Sequence, residues 1–141
     1  NDAPVAENLT PDELGEAILT TYREAIADIV KITEGLPAGE SIYDAAVTKK
    51  EEYVQKFVAF GRQKEAMTAT ERSTVDSKLR RGLNTFYSDP SFKTYMEAAN
   101  HYISSHRELQ KILADFNIIT QYADFELLRK QTPAEAERLG V

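Results

Sequence analysis

The chain has 141 residues, 42% of them hydrophobic and 28% charged, an ordinary globular balance that suits one domain with a real core. Its 23 acidic residues outnumber 17 basic ones, giving a formal net charge of -6; that argues against a generic nucleic-acid binder, because neutralising phosphates takes clustered Lys and Arg, and gives no support for docking on an anionic membrane. With no cysteine, disulfides, thiolate nucleophiles, zinc-thiolate sites and covalent c-type haem attachment are excluded, and no apolar run approaches the roughly 20 residues that cross a bilayer.

The first nine residues, NDAPVAENL, are polar and contain Pro, and read as a flexible tether. A start without an initiator Met leads to the expectation of a processed or trimmed chain. The expectation is an exported protein, periplasmic or lipid-tethered in a bacterial cell envelope, with a cytoplasmic location as the alternative. Asn8-Leu9-Thr10 matches a glycosylation sequon, but Thr10 already has a use as a helix cap.

Thr10-Pro11-Asp12-Glu13 reads as a capping box with Pro at the first helical position. Leu14, Ala17, Ile18, Tyr22, Ala25, Ile26, Ile29 and Val30 then gather on one face at 3.6-residue spacing. Gly35 and Pro37 end this first helix. Ser41 is the expected cap of a second helix, whose inward residues are Tyr43, Ala46, Val47, Tyr53, Val54, Phe57 and Phe60, reaching toward Met67. Gly61 inside that pattern predicts a close helix contact or a kink.

Thr68-Ala69-Thr70-Glu71 is a second capping box, opening a third helix with Val75, Leu79, Leu83, Phe86 and Tyr87 on its stripe. Asp89-Pro90 starts a fourth, which carries Phe92, Tyr95, Met96, Ala99, Tyr102, Ile103, Leu109, Leu113 and Phe116 on one face. Near Asn117 the apolar phase slips, and Ile118, Ile119, Tyr122, Phe125 and Leu128 continue on a rotated face, which predicts a kink or a break. Thr132-Pro133-Ala134-Glu135 repeats the cap and introduces a short terminal helix over 132–141. The expected fold is all-α: an antiparallel, up-down four-helix bundle over 10–131 with a kinked or broken fourth helix.

The two histidines are the obvious candidates for chemistry. On one continuous helix His106 falls on the side of Tyr95, Ala99, Tyr102 and Leu113 and points at the core, whereas His101 faces away beside Glu97 and Glu108. The two imidazoles therefore cannot share an ion within one protomer. Glu97 and His101, four residues apart, form at most a weak surface metal pair. The Glu-x-x-His signature of carboxylate-bridged metal bundles is missing, since Ala98 and Ile103 stand three residues before the histidines.

His106 reads first as a packed histidine bonded to a neighbour. The alternative is a small-ligand or haem pocket lined by His106, Tyr95, Tyr102 and Met96, with Met67 as the other methionine available for ligation. Ser104 and Ser105 adjoin His106, but helix neighbours do not face one another, so they form no Ser-His relay. Lys78, Arg80 and Arg81 are the densest basic group, balanced by Asp76 and Glu71. Seven Tyr and six Phe, with no Trp, concentrate on faces expected to meet, where they serve packing, a ligand cleft or an anchor patch. The sequence thus predicts a non-enzymatic helical module that binds another protein and needs no cofactor, with the ligand-binding bundle as the competing reading.

Overall fold

The computed structural model describes residues 5–141, and they are all-helical: α1 (Pro11–Ile32), α2 (Gly39–Glu65), α3 (Ala69–Phe86), α4 (Pro90–His101), α5 (Arg107–Asp115), a 3₁₀ segment (Phe116–Ala123), α6 (Phe125–Gln131) and α7 (Pro133–Leu139). Among the described residues no helix is long and apolar enough to cross a membrane.

Both strong capping boxes form. The Glu13 amide donates to Thr10 Oγ1 at 3.2 Å while Glu13 Oε1 accepts from the Thr10 amide at 2.9 Å, and Thr68 and Glu71 repeat the exchange at the same two distances. Asp89 caps α4 by accepting from the Ser91 amide at 2.8 Å. Two expected caps are corrected. Helix α2 begins at Gly39 rather than after Ser41, because the Ser41 hydroxyl donates back to the Ala38 carbonyl at 2.7 Å instead of receiving an amide. Thr132 makes no side-chain cap for α7: its hydroxyl turns back to the Leu128 carbonyl, and Glu135 is used elsewhere.

Helix α1 is the axis of the core. Leu14, Ile18, Tyr22, Ala25, Ile26 and Ile29 are all buried, and the helix packs most extensively on α3 while also touching α2, α4 and the 3₁₀ segment. Two glycines let α1 and α3 approach: a Cβ at Gly82 would come within 2.2 Å of Leu19 Cδ2, and one at Gly15 within 2.8 Å of the Lys78 side chain. Helix α2 packs on α5 and the 3₁₀ segment, closing the core from the other side. The expected inward positions Val47, Tyr87 and Ile103 are exposed instead; Tyr87 lies just past the end of α3 and Ile103 in the turn after α4.

The fourth helix, expected to kink or break near Asn117, is interrupted twice. One interruption is the phase slip near Asn117, realised as eight residues of 3₁₀ winding with a non-helical Ile118 (φ -115°, ψ 19°). Buried Phe116, Ile119, Tyr122, Phe125 and Leu128 recur every third residue, which is the period of 3₁₀ winding rather than of an α-helix. Ile118, expected on the inward series, is half exposed. The other interruption, over residues 102–106, was not expected, because Tyr95, Tyr102, Leu109 and Phe116 are spaced by seven and are all buried. A five-residue turn preserves that phase, so the apolar pattern runs through the break unchanged.

The expectation of a tether over 1–9 falls partly on residues 1–4, outside the described residues. Of the rest, the Leu9 amide donates to Gln63 Oε1 at 3.1 Å, and Gln63 Nε2 donates to the Ala6 carbonyl at 2.7 Å. Val5 and Leu9 are partly buried against the core.

Candidate functional site

His106 does not project from a continuous helix into the core. It is the N-cap of α5, half-buried, with Nδ1 accepting from the Leu109 amide at 3.2 Å. Its ring stacks on Tyr43 of α2 (centroids 5.4 Å apart, planes at 18°) and fills the space over Gly39, where a Cβ would come within 2.8 Å of the imidazole's own Cβ. The wheel argument that placed it inward assumed the helix that residues 102–106 interrupt.

Tyr95 and Tyr102, its proposed companions, are fully buried, and their hydroxyls are committed to backbone. Tyr95 donates to the Leu113 carbonyl at 2.5 Å, where α5 passes into 3₁₀ winding. Tyr22 does the same from α1, donating to the Asn117 carbonyl at 3.0 Å, beside the non-helical Ile118. Tyr102 donates to the Pro37 carbonyl at 2.7 Å, tying the α4–α5 junction to the turn between α1 and α2. That turn holds Gly35 and Leu36 at positive φ (76° and 50°), a conformation that costs a non-glycine residue and persists where tertiary contacts fix it. Burial pushes the Tyr22 and Tyr95 hydroxyls well above the ordinary tyrosine range, so both stay neutral donors. Met96 is half-buried against the core. These contacts are those of packing and backbone satisfaction.

Glu97 and His101 are both exposed, and the His101 ring meets Tyr102 edge-on, centroids 4.9 Å apart. Among the described residues no group of three or more His, Asp or Glu is placed to hold a metal ion. The basic group on α3 is dispersed: Lys78 packs over Gly15, Arg80 reaches Ser77 at 3.5 Å, and Arg81 sits on an exposed face with Thr70, Ser73, Thr74 and Ser77.

A large concave feature lies elsewhere. An open groove of about 1180 Å³ runs along the outer face of α2, between the segment 5–11 and the α2–α3 turn. Gln55, Lys56, Ala59, Arg62, Gln63 and Ala66 form its floor at helical spacing, while Val5, Leu9 and Pro11 make one wall and Met67 and Glu71 close the end. Lys56 Nζ is held 5.1 Å from the centroid of the Tyr53 ring. Gln63 is the hinge-pin of the wall, since both of its amide atoms bond the N-terminal backbone.

This groove is barely legible in the sequence. Its only trace there is a second stripe on α2, at Gln55, Ala59, Arg62 and Ala66, opposite the core stripe of Tyr53, Phe57 and Phe60. The wall needs the long-range Gln63 bonds, which no local pattern encodes. No protein-family model, curated protein or solved structure matches the chain.

Proposed function

We propose that the chain is a non-enzymatic interaction module that seats a segment of another protein in the α2 groove. The observation that supports this is the groove's size and make-up. At about 1180 Å³ and open to solvent, it exceeds the roughly 300–1,000 Å³ of enclosed small-molecule pockets. Apolar Val5, Leu9, Ala59 and Met67 line it together with charged Glu52, Lys56, Arg62 and Glu71. Apolar contact surface interspersed with charged and polar groups is the usual make-up of a protein interface. The frame that presents it is, on this reading, an antiparallel up-down four-helix bundle in which α4, α5 and the 3₁₀ segment together take the fourth place. The contacts of α1 with α2, α3 and α4, and the short connections between helices, support that arrangement.

The experiment is a paired affinity purification from native cells. Ala59→Arg fills the groove floor, and Ala27→Arg places the same charge on the exposed face of α1. A protein that co-purifies with the parent chain and with Ala27→Arg, but is lost with Ala59→Arg, fits the reading. A partner retained by Ala59→Arg counts against it.

A further inference from the structure

We infer that His106 is an acid-sensitive latch joining α5 to the turn between α1 and α2. The inference is independent of the groove and rests on how the α5 N-terminus is built. Helix α4 ends at His101, five residues before His106, and the side-chain cap on α5 is the imidazole, whose Nδ1 accepts the Leu109 N–H at 3.2 Å. A Ser, Asp or Asn cap offers an oxygen that stays an acceptor across the physiological range. A histidine cap offers a nitrogen lone pair, which exists only while Nδ1 carries no proton.

Protonation therefore replaces an acceptor by a donor directed at another donor. It also places a cation at a helix N-terminus, where the aligned backbone dipoles oppose it. The ring cannot escape by swinging away at no cost: it is stacked on Tyr43 and packed over Gly39. Tyr43 stacks on the ring, and the charged side chains adjoining these contacts along the chain are Glu40 and Asp44 on α2 and Arg107 and Glu108 on α5. None of the hydrogen bonds or ion pairs of the described residues joins them to the imidazole. The Leu109 amide is thus the group that feels the proton.

What the latch holds follows from its neighbours. Leu109 and Tyr102 are buried on either side of His106, and the Tyr102 hydroxyl grips the Pro37 carbonyl. Losing the cap loosens the first turn of α5, and with it the junction that pins residues 33–38. His101, the other histidine, is exposed and caps nothing, so it serves as an internal control.

The test is NMR on the full chain. At pH 7.5 the nitrogen shifts of His106 are expected to show the proton on Nε2 and a bare Nδ1; a proton on Nδ1 at that pH overturns the inference without any variant. Hydrogen-exchange protection of the Leu109 amide, corrected for intrinsic rates, is expected to fall about tenfold between pH 7.5 and pH 5, the scale of losing one cap. His106→Asn, which caps without titrating, is expected to abolish that fall, and His101→Gln to leave it unchanged. Protection of Leu109 that is insensitive to pH in the parent chain, or that falls equally in His106→Asn, contradicts the latch.

Discussion

The ring of Phe125 lies directly on Gly61: a Cβ at that glycine would come within 2.4 Å of Phe125 Cε1 and 2.7 Å of Cζ. This contact seats the start of α6 on α2, next to the salt bridge of buried Lys64 with Asp76 of α3 at 2.5 Å and with Asp124 at 3.6 Å. Gly61→Ala is expected to destabilise the fold by about 1–3 kcal/mol, because an aromatic ring wedged in a core has no room to retreat. Thermal unfolding followed by circular dichroism measures it. An unchanged melting temperature would mean that α6 does not pack there.

The Tyr95 hydroxyl helps hold the joint between α5 and the 3₁₀ segment. Tyr95→Phe removes the hydroxyl that donates to Leu113 and is expected to cost about 0.5–1.5 kcal/mol with little change in packing. Tyr87→Phe, on an exposed ring, is expected to stay within about 0.5 kcal/mol of the parent. Denaturant midpoints of the two variants compare them directly. Equal effects would remove the special role given to the Tyr95 hydroxyl.

Alkaline stability follows from the same tyrosines. Burial raises the hydroxyls of Tyr22, Tyr95 and Tyr122 far above their ordinary value, with Glu135 adding to the effect at Tyr122. A group whose folded pKa is raised contributes stability that is complete below its unfolded pKa, about 10 for Tyr, and lost as pH rises above it. Each buried tyrosine that stays neutral then costs about 1.4 kcal/mol per pH unit, so stability is expected to fall steeply from pH 10 to 12. Tyrosinate absorbance supplies the check: the folded chain at pH 11 should lack the signal of these three residues and regain it on unfolding. Full ionisation in a still-folded chain would contradict their burial.

The last helix, α7, is held to α2 by one guanidinium. Arg138 forks onto Glu51 (3.1 Å to each oxygen) and also bonds Glu135 at 2.9 and 3.0 Å, while Glu135 accepts from Tyr122 at 2.7 Å. The Arg138 hydrogen bonds hold the Glu135 carboxyl below its ordinary range; at Glu51 burial pulls upward, but the Arg138 and Gln55 bonds prevail and the shift is also downward. Lowered carboxyls contribute stability that is present above their unfolded values, near 4.3, and lost as pH falls. Arg138→Ala is expected to cost about 0.5–1 kcal/mol at pH 7, the modest figure reflecting the partial exposure of the pair. At pH 3 the variant and parent melting temperatures should converge. A gap that persists at pH 3 would assign the effect to packing instead of charge.

Much of the helical layout was legible because its signals are local. The Thr10 and Thr68 boxes, Asp89-Pro90 and the stripe from Leu14 to Ile29 each follow from a few adjacent residues, and all of them appear in the structure. Gly61 announced the close contact but not its occupant, since Phe125 lies 64 positions away along the chain. The break before Arg107 was hidden by the seven-residue spacing of Tyr102 and Leu109, which a helix and a compact turn satisfy alike. That one error misplaced His106, because a helical wheel is valid only while the helix lasts. The 3₁₀ segment was readable in principle from the three-residue period of Phe116, Ile119, Tyr122 and Phe125. The groove was not, because its wall depends on Gln63 reaching Ala6 and Leu9.

The measurement that bears most directly on the functional proposal is site-specific photo-crosslinking in native cells, with a photoreactive side chain at Ala59 in the groove and, separately, at Ala27 on the exposed face of α1. The account predicts a discrete protein adduct from position 59, none from position 27, and loss of the adduct when Met67→Arg is added to block the end of the groove. No adduct from position 59, or the same adduct from both positions, would contradict a groove that receives a partner.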